Sequence, residues 1–128
     1  PYFILVSLAG KAAVELYFAD TVASGCASDI NQAFNYIRDG ISENATLGFS
    51  MIDVSTSKFP ASSENMNAKN EAVTHAELER YMLKARDILL KNKDFLEKAA
   101  DALMEKETLL YSDIRHIRES TVITGAAV

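Results

Sequence analysis

Two carboxylates, two histidines and one thiol stand out as the side chains of this sequence that could carry chemistry. Glu15 interrupts an apolar stretch, and Asp29 opens a helix-patterned one. A carboxylate on an apolar face must be paired, hydrogen-bonded or bound to something. From the residues alone, Asp29 reads as an ordinary helix-start acid, placed where negative charge suits the helix dipole. Glu15 reads as a buried carboxylate satisfied by neighbouring backbone or by Arg38. His75 and His116 lie far apart on different segments, so they cannot supply the i, i+4 imidazole pair of a zinc-binding helix, and no H-E-x-x-H occurs. His75 reads as solvent-facing and His116 as a surface residue of the last helix. Cys26 is the one cysteine, which excludes an internal disulfide and a multi-thiolate zinc finger. With no base arranged around it, its reading is packing rather than nucleophilic chemistry. No glycine-rich phosphate loop is present, so this piece is not expected to bind ATP.

The elements that must position these groups are helical. From about Phe3 to Asp20, Leu5, Leu8, Ala12, Leu16 and Ala19 recur at helical spacing. The opposite side carries Val6, Ala13, Tyr17 and Phe18, so this helix is apolar almost all round and is expected to be central to its domain. Thr21 to Ser28 reads as a small-residue turn around Gly25. A second helix is expected from about Ser28 to Glu43, with Ile30, Ala33, Phe34, Ile37 and Ile41 as its stripe and Ser28 as its N-cap. Phe49 to Val54 alternates weakly, like a short strand, and Ser55 to Asn70 reads as a surface loop interrupted by Pro60. A third helix follows from about Glu71 to Lys91, buried through Leu78, Tyr81, Met82, Ala85, Ile88 and Leu89. Thr74 and Glu77 have capping-box spacing, but helical signal begins ahead of them. Asn92 reads as a break. A fourth helix, about Asp94 to Lys106, is expected to bury Phe95, Leu96, Ala99 and Leu103. Ser112 is the expected cap of a last short helix with Ile114 and Ile117. The tail from Thr121 to Val128 has no evident role. The fold class is therefore mainly α, a bundle of about four to five helices with a short irregular or β-like insertion.

Composition bounds the partners. At 128 residues the chain is expected to form one domain with a single core. Hydrophobic residues are 48% and charged residues 24%, the balance of a globular protein. A net charge of −5 and scattered Lys and Arg argue against nucleic acid. The apolar opening from Pro1 to Gly10 is too short to span a bilayer and lacks a signal peptide's basic start. Because residue 1 is Pro rather than Met, the chain is expected to be a processed or excised piece of a longer protein.

Three stretches, in order, resemble one known family. Gly10-Lys11-Ala12-Ala13-Val14-Glu15-Leu16-Tyr17-Phe18 is similar to the G-R-x-A-E-E-x-x-F of the FtsH and mitochondrial AAA proteases, in the part of the peptidase domain that follows their H-E-x-x-H helix. Ser24-Gly25-Cys26-Ala27-Ser28-Asp29-Ile30 resembles their T-G-A-S-N-D-L, with Ala33 and Arg38 where that helix carries Ala and Arg. Ala102-Leu103-Met104-Glu105-Lys106-Glu107-Thr108-Leu109 resembles A-L-L-E-K-E-T-L, and Ala85 to Asn92 resembles the helix ahead of it. The resemblance covers roughly residues 5 to 118. Val14 and Lys11 depart from the glutamate and arginine of the first motif, Ala23 and Ser24 from two threonines, and Asn44 to Gly48 shortens an aromatic-G-M-S segment. These departures mark a diverged member.

The resemblance implies that residues 1–128 are the helical, C-terminal portion of such a peptidase domain. In the family two imidazoles one turn apart face one zinc ion, leaving room for water and a third ligand. Asp29 stands at the position of that third ligand, and Glu15 at the second glutamate of A-E-E, a supporting place near the site. No catalytic residue falls in this segment, and both histidine ligands are missing from it. The implied parent is an ATP-dependent zinc metalloendopeptidase that degrades unfolded or membrane proteins. It would be a homo-hexamer, anchored in a membrane by a separate segment, with this domain in the cytoplasm or an organelle matrix and ATP bound by another domain. The isolated chain is expected to be inactive. The rival expectation is a non-catalytic helical scaffold or oligomerisation module that kept the bundle and lost the chemistry.

Overall fold

A computed structural model describes residues 2–18, 24–44 and 64–125. The helical fold class holds: among the described residues there are five α-helices and no strand. They are α1 (Tyr2–Tyr17), α2 (Ala27–Asn44), α3 (Glu64–Lys91), α4 (Lys93–Lys106) and α5 (Tyr111–Glu119), with a short 3-10 turn at Ser24–Cys26. The strand expected at Phe49 to Val54 lies outside the described residues. The chain forms two compact units, residues 1–85 and 86–128, and the boundary falls inside α3.

The first unit is built on α1 and α2. Ile4, Leu8 and Ala12 of α1 and Ala33, Ile37 and Ile41 of α2 are all buried, each set one helical turn apart. The i, i+4 spacing that predicts a stripe therefore becomes a seam between two helices. Phe3 and Tyr36 extend it, with ring centroids 5.4 Å apart. The expectation that α1 is enclosed all round is corrected: Tyr2, Val6, Tyr17 and Phe18 are exposed. Periodicity counts apolar residues, but burial needs a partner on every side, and among the described residues the packed face of α1 is the one carrying Leu8.

Helix α3 starts at Glu64, so the loop expected to run to Asn70 ends earlier. Polar composition masked this turn, yet the sequence from 61 to 91 holds no Gly or Pro to stop a helix. Thr74 does not cap. It lies inside α3, fully buried, and its Oγ1 donates to the Asn70 carbonyl at 2.7 Å. Ala85 is buried and the other expected apolar positions of α3 are half-buried. Its outer face is laced by Arg80–Glu77 at 2.7 Å and Lys91–Asp87 at 2.6 Å.

The second unit has a thinner core. Asn92 does separate α3 from α4, as expected. No residue of α4 is fully buried, and Leu103, expected inside, is 47% exposed. A unit of this size has little interior to offer. In α5 Ile117 is buried, whereas Ile114 is exposed. Ser112 is not the cap of α5, because the helix begins at Tyr111. The capping group is Asp113: its Oδ2 accepts from the Leu110 N–H at 2.9 Å, and its Oδ1 from Lys106 Nζ at 2.6 Å. A carboxylate in a first turn satisfies an orphan amide better than a hydroxyl placed inside the helix can.

Candidate functional site

Asp29 is held by the local fold of the turn before it. Ser24–Cys26 makes one 3-10 turn that runs directly into α2, so the helix starts at Ala27 and Ser28 lies within its first turn rather than at its N-cap. That turn touches both α1 and α2, which fixes the start of α2 against the first helix. Asp29 is the acid of the first turn, and its side chain is exposed. Cys26, immediately ahead of α2, is half-buried and free. The turn thus presents Asp29 outward and leaves the thiol partly packed.

Glu15 lies on α1 in the same unit. Its carboxylate is paired with Lys11 Nζ at 2.7 Å, one turn back, with the two side chains 38% and 41% exposed. The expected buried carboxylate is therefore half-open to solvent, satisfied by the lysine that stands at the arginine position of the motif. The i, i+4 spacing of Lys11 and Glu15 is the local signal for this pair. His75 is exposed, as expected, but its ring also lies 5.2 Å from that of Phe34. This contact ties α3 to α2, and no local spacing signals it. His116 is exposed on α5.

Among the described residues no three His, Cys, Asp or Glu side chains gather in a group able to hold a metal ion. The donor set fits zinc only in part. An exposed carboxylate at a helix start is a suitable single oxygen ligand, whereas a structural zinc site needs four protein donors and a catalytic one three plus a water. No helix among the described residues is long and apolar enough to cross a membrane.

The sequence matches the model of the family described as Peptidase family M41 over residues 3–117. This chain belongs to peptidase family M41. It is also 32% identical, over 126 aligned residues, to the ATP-dependent zinc metalloprotease FtsH of Caldicellulosiruptor bescii. That alignment covers 89% of this chain and 20% of the relative, so the M41 chain spans about one fifth of the length of the protease it matches. No solved structure matches it. The M41 match runs through α1, the 3-10 turn and α2, and thus includes Glu15 and Asp29.

Proposed function

We propose that this chain is the helical portion of the peptidase domain of an ATP-dependent zinc metalloendopeptidase, with Asp29 as the metal ligand it contributes. The observation that carries this reading is the M41 match over residues 3–117, with Asp29 lying exposed in the first turn of α2. Asp29 supplies one carboxylate oxygen, and two histidines from elsewhere in the parent complete the protein ligands. When bound, zinc supplies Lewis-acid activation of a water and of the scissile carbonyl. The chain's own residues hold position: the 3-10 turn fixes the start of α2, which carries Asp29, against α1, and Glu15 stands on the neighbouring helix as a supporting carboxylate. Protein substrates, a homo-hexameric assembly, a membrane anchor in a separate segment, a cytoplasmic or matrix location and an ATPase domain belong to the proposed parent.

The test is metal analysis with casein hydrolysis. In the full-length parent, Asp29→Asn is expected to lower zinc content and cut proteolysis about tenfold or more, with helix content unchanged. The isolated 128-residue chain is expected to hold no stoichiometric zinc and to leave casein intact. Wild-type zinc content in the full-length variant, or chelator-sensitive cleavage by the isolated chain, overturns the assignment.

A non-catalytic scaffold is the second reading, and one observation favours it. Lys11 satisfies Glu15 within α1, so that carboxylate needs no metal site to account for it. An H-E-x-x-H encoded upstream of Pro1 decides for the enzyme, and its absence from the full-length gene product decides for the scaffold.

A further inference from the structure

The residue at the junction of α3 and α4 is used on the tail rather than on the helix it precedes. Asn92 holds the N-cap position of α4, where a carboxamide oxygen ordinarily accepts from the second or third amide of the helix. Its side chain makes no such bond. Instead Asn92 Oδ1 accepts from the Thr124 N–H at 2.8 Å, and Nδ2 donates to the Thr124 carbonyl at 3.0 Å and to the Ile88 carbonyl at 2.8 Å. One carboxamide thereby pairs with both backbone groups of a tail residue, as a neighbouring strand would. Lys98 Nζ adds a bond to the Ser120 carbonyl at 3.3 Å. Apolar burial adds little, since Val122 is 87% exposed and Ile123 40%. The tail is held mainly by polar bonds in contact with water.

We propose that Asn92 is a two-position latch: it holds Thr124 while the 121–125 segment is seated, and caps α4 once that segment is released. Release breaks two solvent-exposed hydrogen bonds and regains a helix cap, so the two states lie close in free energy. The swing takes ψ of Asn92 from 28° to the extended range of an N-cap, and its φ of −113° already suits that range. Seating of the tail and the backbone bend at Asn92 are therefore one equilibrium, and anything that competes for the Thr124 backbone shifts it.

Amide hydrogen exchange on the full chain tests the latch. Asn92→Asp keeps a capping oxygen and loses the donor to both the Thr124 and the Ile88 carbonyls; Thr124→Pro removes the donated N–H, leaves the Ile88 bond in place and lies outside the helices. In Asn92→Asp the Thr124 amide is expected to exchange on the order of tenfold faster. In both variants the Asp94 or Phe95 amide gains protection. A Thr124 amide that keeps its protection in Asn92→Asp, or first-turn amides of α4 that gain none in Thr124→Pro, overturns the proposal. Because Thr124→Pro leaves every helical residue in place, it decides the matter even where Asn92→Asp fails to fold.

Discussion

At the scale of single residues, two side chains near the α4–α5 connection carry testable consequences. Asp113 is held below the ordinary aspartate range, first by the hydrogen bond from Lys106, then by the Leu110 N–H. A depressed carboxylate contributes stability above its unfolded pKa and loses it as pH falls through its folded one. The start of α5 is therefore expected to loosen on acidification below the ordinary aspartate range. Asp113→Asn should already be loosened at neutral pH and lose that acid step, as read from amide exchange at Leu110 and Asp113. Glu107 ends α4 in the left-handed region, at φ 61°, with its N–H on the Leu103 carbonyl at 2.8 Å. A side chain there costs about 1–2 kcal/mol, and glycine's greater unfolded-state freedom returns about half of that. Glu107→Gly is therefore expected to raise stability by about 0.5–1 kcal/mol, as a higher urea midpoint with unchanged slope.

At the scale of elements, the seam between α1 and α2 decides which apolar residues matter. Leu8 is 1% exposed and Val6 74%, although they sit two positions apart on one helix. Leu8→Ala should cost about 2–5 kcal/mol through lost transfer energy and the cavity left behind. Val6→Ala should cost less than about 0.5 kcal/mol, as surface substitutions do. Urea unfolding of both variants checks this, and similar losses would mean that α1 is covered on both faces. Much of the helix pattern was legible because Ala33, Ile37 and Ile41 form a stripe that period alone reveals. The first turns of α3 were not legible, because Asn67 and Asn70 are weak helix formers and Asn67, Lys69 and Asn70 supply no apolar stripe, yet the helix runs through them with no Gly or Pro to stop it. The cap of α5 was misread for a related reason: Ser112 has the chemistry of an N-cap, yet Asp113 holds the position from which a carboxylate reaches back to Leu110.

At the scale of the whole molecule, the two units differ in how much they bury. The first contains fully buried Leu8, Ile37 and Thr74, and in the second Ile117 stands out as buried at 8% exposure. Local stability follows such burial. Amides of α4 and α5 are expected to exchange faster than those of Leu8 and Ile37 under native conditions, and equal protection across both units would argue for one cooperative fold. What the sequence determined by itself was the chemistry on offer and most of the helices. Residue types and i, i+4 spacing are local properties, and the three family motifs are contiguous strings that place Asp29 at the opening of a helix. Only the tertiary structure decided which face of α1 is covered, that His75 meets Phe34, and that Asn92 gives its carboxamide to Thr124. Those depend on segments distant in sequence coming within a few ångströms, which no local pattern encodes. The structure also sharpened the carboxylates: Glu15 is satisfied by Lys11 within one helix, while Asp29 stands exposed at the start of α2.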